Sequence, residues 1–337
     1  MTSKAQSFAD LEFTRAIYQV SGQTDLPTWN LVGQFSDISW PEYSWIRSHE
    51  PELVFQRIKQ LVTSFSTWQH RAKTGRPATA HRVVIAHLLV RQYLGASFDF
   101  TESLMRVLAP YFGFEQMPDG STISRWNRNK TFRKTLRRFF AHVLNDFTGK
   151  QLTIAVDSTG FGRKRRAWRD TPYGARGTKD WRKMHFAMDT SSGLILGYVT
   201  SPSKDHDSKH YIPVLDAIHP QFSVERSLAD GAYSGTANLI GADQRNIKPI
   251  HTVRKDAIWK KKPTTRYQKL VRFARTFPNR FAELMGPRAY VETTVSMLKN
   301  RDGGRIRCRH PIAIENEIAA KSILHNVRMT IRPDTLR

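Results

Sequence analysis

Three acidic residues in this chain share an arrangement suited to metal-assisted chemistry on phosphate esters. Asp157 closes the β-branched, apolar run LTIAVD (152–157), and Asp230 closes SVERSLAD (223–230). Small residues follow each, Ser158-Thr159-Gly160 and Gly231-Ala232. A carboxylate at the C-terminal edge of a strand, where the chain turns away, is a common place for site residues in layered α/β proteins. Glu292 lies in GPRAYVETTVSMLKN (286–300). That stretch reads as one helix, entered through Gly286-Pro287 and ended by Gly303-Gly304. Arg288, Glu292 and Lys299 then share one face, displaced by about 40° and 20° at the helical rotation per residue. Val291, Val295 and Leu298 form the apolar stripe that packs the helix down. If the first and fourth strands are neighbours, both aspartates emerge at one edge and Glu292 reaches them from a helix laid across the sheet. Three clustered carboxylates repel one another unless a cation sits among them. A pair of Mg²⁺ ions about 3.5–4 Å apart answers that repulsion and cleaves phosphodiesters. Taken singly, each feature also has an ordinary reading: a strand-end turn cap for either aspartate, an exposed ion-paired face for the helix.

The charge balance bears on these alternatives. The chain has 337 residues and a formal net charge of +24. Residues 1–53 carry three Lys/Arg against seven Asp/Glu, which leaves 50 against 22 for the remainder. A surface that cationic suits a polyanion, most simply nucleic acid. One basic block, beginning with Arg163, Lys164, Arg165 and Arg166, runs on to Lys183. A second covers 254–280, with Lys260, Lys261 and Lys262 and the interleaved rings Trp259, Tyr267, Phe273 and Phe277. Cations for the backbone and rings for displaced bases are what a strand-gripping surface needs, although a solvated loop has the same composition. Arg301, Arg305, Arg307 and Arg309 form a third patch.

The elements that must position these residues follow from periodicity. Residues 1–69 read as an acidic, aromatic-containing helical segment and a candidate dimer contact. Residues 70–150 read as an all-α region. Its basic entry contains Gly75-Arg76-Pro77, which resembles a minor-groove hook carrying Arg76. Apolar helices are expected over 83–94 and from Thr101 to Leu108, with Thr101 as cap. After the turn Pro118-Asp119-Gly120, Ser121 is expected to cap a short helix carrying Arg125, before a long amphipathic helix. Helix, tight turn and capped helix fit a helix-turn-helix reader, and small helical bundles produce the same pattern. From Gln151 the period changes. Strands are expected at 152–157, 183–189, 193–201, 223–230 and 247–253, the second and third joined as a hairpin. Asp207 is expected to cap a helix over 208–218, with further helices at 236–243 and 314–329. The fold class is a mixed α/β layered core over 151–330, with a basic loop at 254–280, behind an all-α N-terminal region.

His206 and His210 are spaced for one helix face, but no third metal ligand is evident beside them. A single cysteine, Cys308, excludes an intramolecular disulfide and a cysteine zinc site. No apolar run approaches the length of a membrane span, and MTSKAQSFADLEF lacks the pattern of a signal peptide. A soluble, intracellular protein is expected.

The strand IAVDSTG with Asp157, the strand LADGAYSG with Asp230, and RAYVETTVSMLK with Glu292 resemble the DDE transposases of bacterial and archaeal insertion sequences. The resemblance is to the insertion-sequence-five family within the insertion-sequence-four-like group. That group has a Tyr-x2-Arg-x3-Glu-x6-Lys pattern, matched here by Arg288, Glu292 and Lys299, with Met285 at the tyrosine position. PDGSTISRWNR (118–128) also resembles the family's segment ahead of the core. The resemblance implies an RNase H-like core in which Asp157, Asp230 and Glu292 bind two Mg²⁺ ions, with Mn²⁺ able to substitute. It implies Arg288 and Lys299 on DNA phosphates, and cleavage at element ends followed by strand transfer. The implied partners are double-stranded DNA (terminal inverted repeats and target) and a second copy of the chain, with no membrane or small-molecule substrate. The location would be the cytoplasm of a prokaryote, at the nucleoid. With 61 residues between Asp230 and Glu292, no large insertion domain is expected. A nuclease or resolvase without strand transfer, or an inactive DNA-binding descendant, would share most of these features.

Overall fold

A computed structural model describes residues 29–30, 40–66, 79–163 and 181–331. The chain divides into two compact units. The first contains residues 36–146 and 308–337, and the second contains residues 30–35 and 147–307.

Among its described residues the first unit is helical. Its elements are α1 (Trp40–Ser48), α2 (Glu50–Ser64), α3 (His81–Leu94), α4 (Phe98–Phe112), α5 (Gly120–Trp126) and α6 (Lys130–Val143), joined by the distant α12 (Pro311–Met329). The amphipathic pattern of α6 explains its seat. Phe132, Leu136, Phe139, Phe140 and Val143 are buried, whereas Lys134, Arg137 and Arg138 face solvent. Each such large apolar side chain contributes about 1.5–3 kcal/mol on burial. α12, placed by sequence with the 151–330 core, packs in this unit against α6, α3 and α2.

Two helix starts differ from their sequence reading. Ser97, not Thr101, caps α4, accepting from the Phe100 N–H at 3.1 Å. Thr101 lies a turn inside, where its hydroxyl donates back to the Ser97 carbonyl at 2.7 Å. Asp119, not Ser121, caps α5, accepting from the Thr122 N–H at 2.6 Å. In both cases an earlier oxygen takes the first free amide, so the helix begins earlier.

The second unit is a sheet with helices. Its strands are β1 (Phe147–Arg163), β2 (Trp181–Asp189), β3 (Ile195–Pro202), β4 (Phe222–Ala229), β5 (Lys248–His251) and the two-residue β6 (Arg305–Ile306), and the two-residue strand Trp29–Asn30 pairs with β1. The main path runs β3-β2-β1-β4-β5, and β6 pairs with the far end of β1. β1, β2 and β3 form an antiparallel meander; β4 and β5 are parallel to β1. This mixed order is that of an RNase H-like core, the fold class expected from the sequence.

The expected hairpin forms. Asp189 Oδ2 accepts from the Ser192 N–H at 2.8 Å, and Gly193 takes the left-handed conformation that the turn requires (φ 73°). The helices are α7 (Tyr211–Asp216), α8 (Thr236–Asp243), α9 (Arg266–Thr276), α10 (Pro278–Met285) and α11 (Tyr290–Asn300). Beneath α7 a buried chain of hydroxyls ties helix to sheet. The Tyr211 hydroxyl lies 2.5 Å from Ser227 Oγ and 3.0 Å from His251 Nε2. Burial pushes the His251 imidazole down to about 3, so it sits there neutral.

Candidate active site

β1 is longer than the apolar run that announced it, and this decides how Asp157 is presented. Its parallel ladder with β4 ends at Val156 opposite Ala229, because β4 stops there. Its antiparallel ladder with β2 continues, through Asp157 opposite Phe186 and Ser158 opposite His185, to Gly162 opposite Trp181. Asp157 therefore stands within the strand, not at its end. It is the first residue of β1 beyond the cover of β4, and the next register position on β4 would be Asp230. Gly160 admits the close approach of Trp181, whose ring carbons would lie 2.3 Å from a Cβ built there.

Asp230 caps the short turn Gly231–Tyr233, accepting from the Ala232 N–H at 2.9 Å. Burial pushes the Asp157 carboxyl upward, with Asp230 and Asp207 adding to the rise; the Ser158 N–H (2.7 Å) and Arg288 act against it. Arg288 Nη2 stands 3.9 Å from Asp157 Oδ2.

The stretch 286–300 is not one helix. Gly286–Ala289 forms a 3₁₀ turn and α11 begins only at Tyr290. Pro287 offers no N–H, and Met285, its N-cap, makes no side-chain cap bond. Arg288 and Glu292 thus belong to different helical segments, and the common-face argument does not apply to them. α11 buries Val291, Thr294 and Leu298 and packs on β1. Glu292 is exposed in its first turn and Lys299 is exposed in its last. Among the described residues, no group of three His, Cys, Asp or Glu side chains stands close enough to hold a metal ion. The structure brings Asp157, Asp230 and Arg288 together and leaves Glu292 on the surface of the adjoining helix. The aspartate pair is a fit for a hard divalent cation: oxygen donors only, mutually repelling, one of them raised by burial.

Asp207 departs from its expected role. It opens the 3₁₀ turn Asp207–His210 that leads into α7, but its side chain makes no cap. Its Oδ1 accepts from Lys183 Nζ at 2.7 Å and its Oδ2 from Ser158 Oγ at 3.0 Å. Burial opposes its charge, yet the bonds from Lys183 and Ser158 hold it below the ordinary carboxylate value. His185 is a buried strand histidine. It bonds Ser201 Oγ at 2.8 Å, stacks on His210 at 4.3 Å, and is pushed down to about 4 by burial and by His210. His210 takes Asp205 at 3.3 Å, so the 206/210 pair does not form a site of its own. The Tyr233 phenol is buried, and burial with the fields of Asp207, Asp157 and Asp230 raises it.

Sequence reading missed Lys183 and Tyr233 as members of this cluster. The signal was present in strand alternation: Ser158 lies opposite His185, and Lys183 lies two residues along on the same face of β2.

Of the basic residues, Arg76 and Lys164 to Arg166 lie outside the described residues, and Arg163 is described only as backbone at the end of β1. Lys260, Lys261 and Lys262 are exposed in the loop between β5 and α9, and Arg125 is exposed on α5. The basic loop expected at 254–280 is half helical. α9 sends Arg272 to the Lys261 carbonyl (3.0 Å) and Arg275 to those of Lys255 (3.2 Å) and Ala257 (2.6 Å). Ile258 and Trp259 project between these clamps.

Residues 148–327, just over half of the chain, match the family model described as the transposase DDE domain. Among solved structures, a piggyBac transposase synaptic complex with hairpin DNA is similar at 10% identity and a TM-score of 0.39. That match covers 87% of this chain and 75% of the other. A pre-cleavage Mos1 transpososome is similar at 10% identity and a TM-score of 0.21, covering 77% of this chain and 87% of the other.

Proposed function

The chain belongs to the transposase DDE domain family, and from that premise we propose that it is an insertion-sequence transposase of the insertion-sequence-five type. In this reading it cuts DNA at the ends of its element and joins the freed 3′-hydroxyl to a target. The observation that carries it is the placement of Asp157 and Asp230 directly after the last paired position of β1 and β4, Val156 opposite Ala229, with Arg288 facing the first carboxylate at 3.9 Å.

Asp157, Asp230 and Glu292 are the residues that would hold two Mg²⁺ ions, or Mn²⁺ in their place. When bound, the ions supply activation of the attacking oxygen and charge stabilisation of the leaving one. Asp157 is oriented by the Ser158 N–H and Asp230 by its cap to Ala232. Glu292, on the first turn of a helix seated against β1, is the third carboxylate. Arg288 and Lys299 face the scissile strand's phosphates. The helical unit, with Arg125 on α5 and Arg76 ahead of α3, recognises the terminal inverted repeats. Arg163 to Arg166 and Lys260 to Lys262 hold the flanking backbone. Because two element ends must meet, the working assembly is a dimer or larger on DNA. No described helix is long and apolar enough to cross a membrane, and we assign the protein to the cytoplasm of a prokaryote.

The test is a strand-joining assay: purified protein, labelled duplex carrying the element's ends, and a plasmid target, with Mg²⁺ or with chelator. Mg²⁺-dependent joined product supports the transposase reading. Cleavage without joining replaces it with a nuclease. Salt-sensitive binding with neither reaction replaces it with an inactive DNA-binding descendant.

A further inference from the structure

The cluster around Asp207 lies outside the three carboxylates and has no part in the function just proposed. Its geometry is specific. Asp207 spends one carboxylate oxygen on Lys183 and the other on Ser158. Lys183 Nζ also donates to the Asp205 carbonyl at 2.8 Å, so the cation is held from two sides. An acid with both oxygens engaged by protein donors, and its charge balanced by a lysine, is poorly placed to ligate a cation. It is well placed to fix what it touches.

What it touches is Ser158, the residue after Asp157. Alternation along β1 turns the Ser158 hydroxyl to the face of the sheet opposite the Asp157 carboxylate. The two faces are covered separately. Arg288, beside α11, meets Asp157, whereas Asp207, at the entry to α7, meets Ser158. This is also the point where β1 has lost the β4 ladder and keeps only β2. A strand paired on one side alone is free to twist unless something else holds it. The Ser158 N–H, in turn, is the donor that aims Asp157 Oδ1, at 2.7 Å. A shift of Ser158 therefore becomes a shift of the carboxylate.

We propose that Asp207 is a positioning residue for Asp157, acting through the Ser158 hydroxyl from the opposite face of the sheet, with Lys183 as its counter-ion. The inference rests on the reading of Asp157 as a metal-holding carboxylate. Removing a partner that orients a metal ligand costs about 10–100-fold in metal affinity. Asp207→Ala and Ser158→Ala are each expected to weaken Mn²⁺ binding by about tenfold or more. Because both cut the same link, the double variant is expected to bind no more weakly than the worse single one.

The experiment is Mn²⁺ titration of the full chain followed by electron paramagnetic resonance. Wild type, Ser158→Ala, Asp207→Ala, the double variant and Asp157→Asn are compared, each with its melting temperature. Weakened binding in both single variants, with no further loss in the double, is the expected result. Ser158→Ala serves as the control for folding, since it removes one oxygen and leaves the Asp207–Lys183 pair intact. Two results overturn the inference: wild-type Mn²⁺ affinity in both single variants, or losses that simply add in the double variant. A wild-type protein that binds no more Mn²⁺ than Asp157→Asn is a third outcome. It removes the metal reading itself, and the positioning role with it.

Discussion

Asp230 has two tasks that one substitution separates. It caps the Gly231–Tyr233 turn through the Ala232 N–H, and it is one of the carboxylates assigned to the metal. Asparagine caps a helix end about as well as aspartate but brings no charge to a cation. Asp230→Asn is therefore expected to melt within a few degrees of wild type and to lose cleavage. Loss of fold in this variant would show that its charge holds the turn. Asp119 tests the opposite case. It caps α5 in the helical unit, and its carboxyl is pulled down to about 2 by Ser121 and the Thr122 N–H. Asp119→Ala is expected to lower that unit's stability through the lost cap, as read by chemical denaturation. Cleavage of a pre-bound end should be little changed. At this scale the sequence was informative about the placement of Asp157 and Asp230, each of which follows a short apolar run and is followed in turn by small residues. It misled at Asp207, whose position before a helix suggests a cap, because only the folded sheet brings Lys183 and Ser158 to it.

Among the elements, β3 and α7 are pressed together at Gly197. A Cβ built there would lie 2.7 Å from the Ala217 carbonyl carbon, the Ala217 oxygen and the Ile218 nitrogen. Backbone cannot swing aside as a side chain can. Gly197→Ala is expected to destabilise the sheet unit by about 1–3 kcal/mol, measured as a fall in the unfolding midpoint. An unchanged midpoint would mean that α7 slides without cost. The strand set was legible from β-branched runs and turn residues, and the meander from Thr190 to Gly193. Strand ends were not, because β1 continues past its apolar run through Asp157 to Gly162 by pairing with β2, and its last residues pair with β6. Nor was the break at Tyr290: the sequence reads as one helical pattern, and Pro287 with the preceding turn tightens its start into a 3₁₀ segment. The place of α12 in the helical unit depends on packing between residues far apart in sequence, which periodicity does not report.

For the molecule as a whole, the formal charge of +24 predicts a strongly salt-dependent grip on DNA. A protein that neutralises six to ten phosphates loses about 10³–10⁵ in affinity between 50 and 200 mM salt. A flat salt response would contradict the proposed DNA surface. Stability has its own pH signature. His87, His185 and His251 are fully buried and pushed down to about 4, 4 and 3 by burial. Below pH 6.5 or so the unfolded chain takes up protons that the folded chain refuses until about pH 4. Stability from these groups is thus fully present above that window and is lost as pH falls through it. The melting temperature should drop steadily from pH 6.5 to pH 4. A level profile would mean that these histidines charge without unfolding. The central claim remains the joint action of Asp157, Asp230 and Glu292, and Glu292 is the member whose exposed position tests it hardest. The most direct measurement is cleavage of labelled duplex carrying the element's ends by wild type and Glu292→Gln at equal DNA occupancy, with Mg²⁺ or chelator. The account predicts Mg²⁺-dependent product from wild type and none from the variant. Wild-type cleavage by Glu292→Gln would contradict it and leave the chemistry to the aspartates alone.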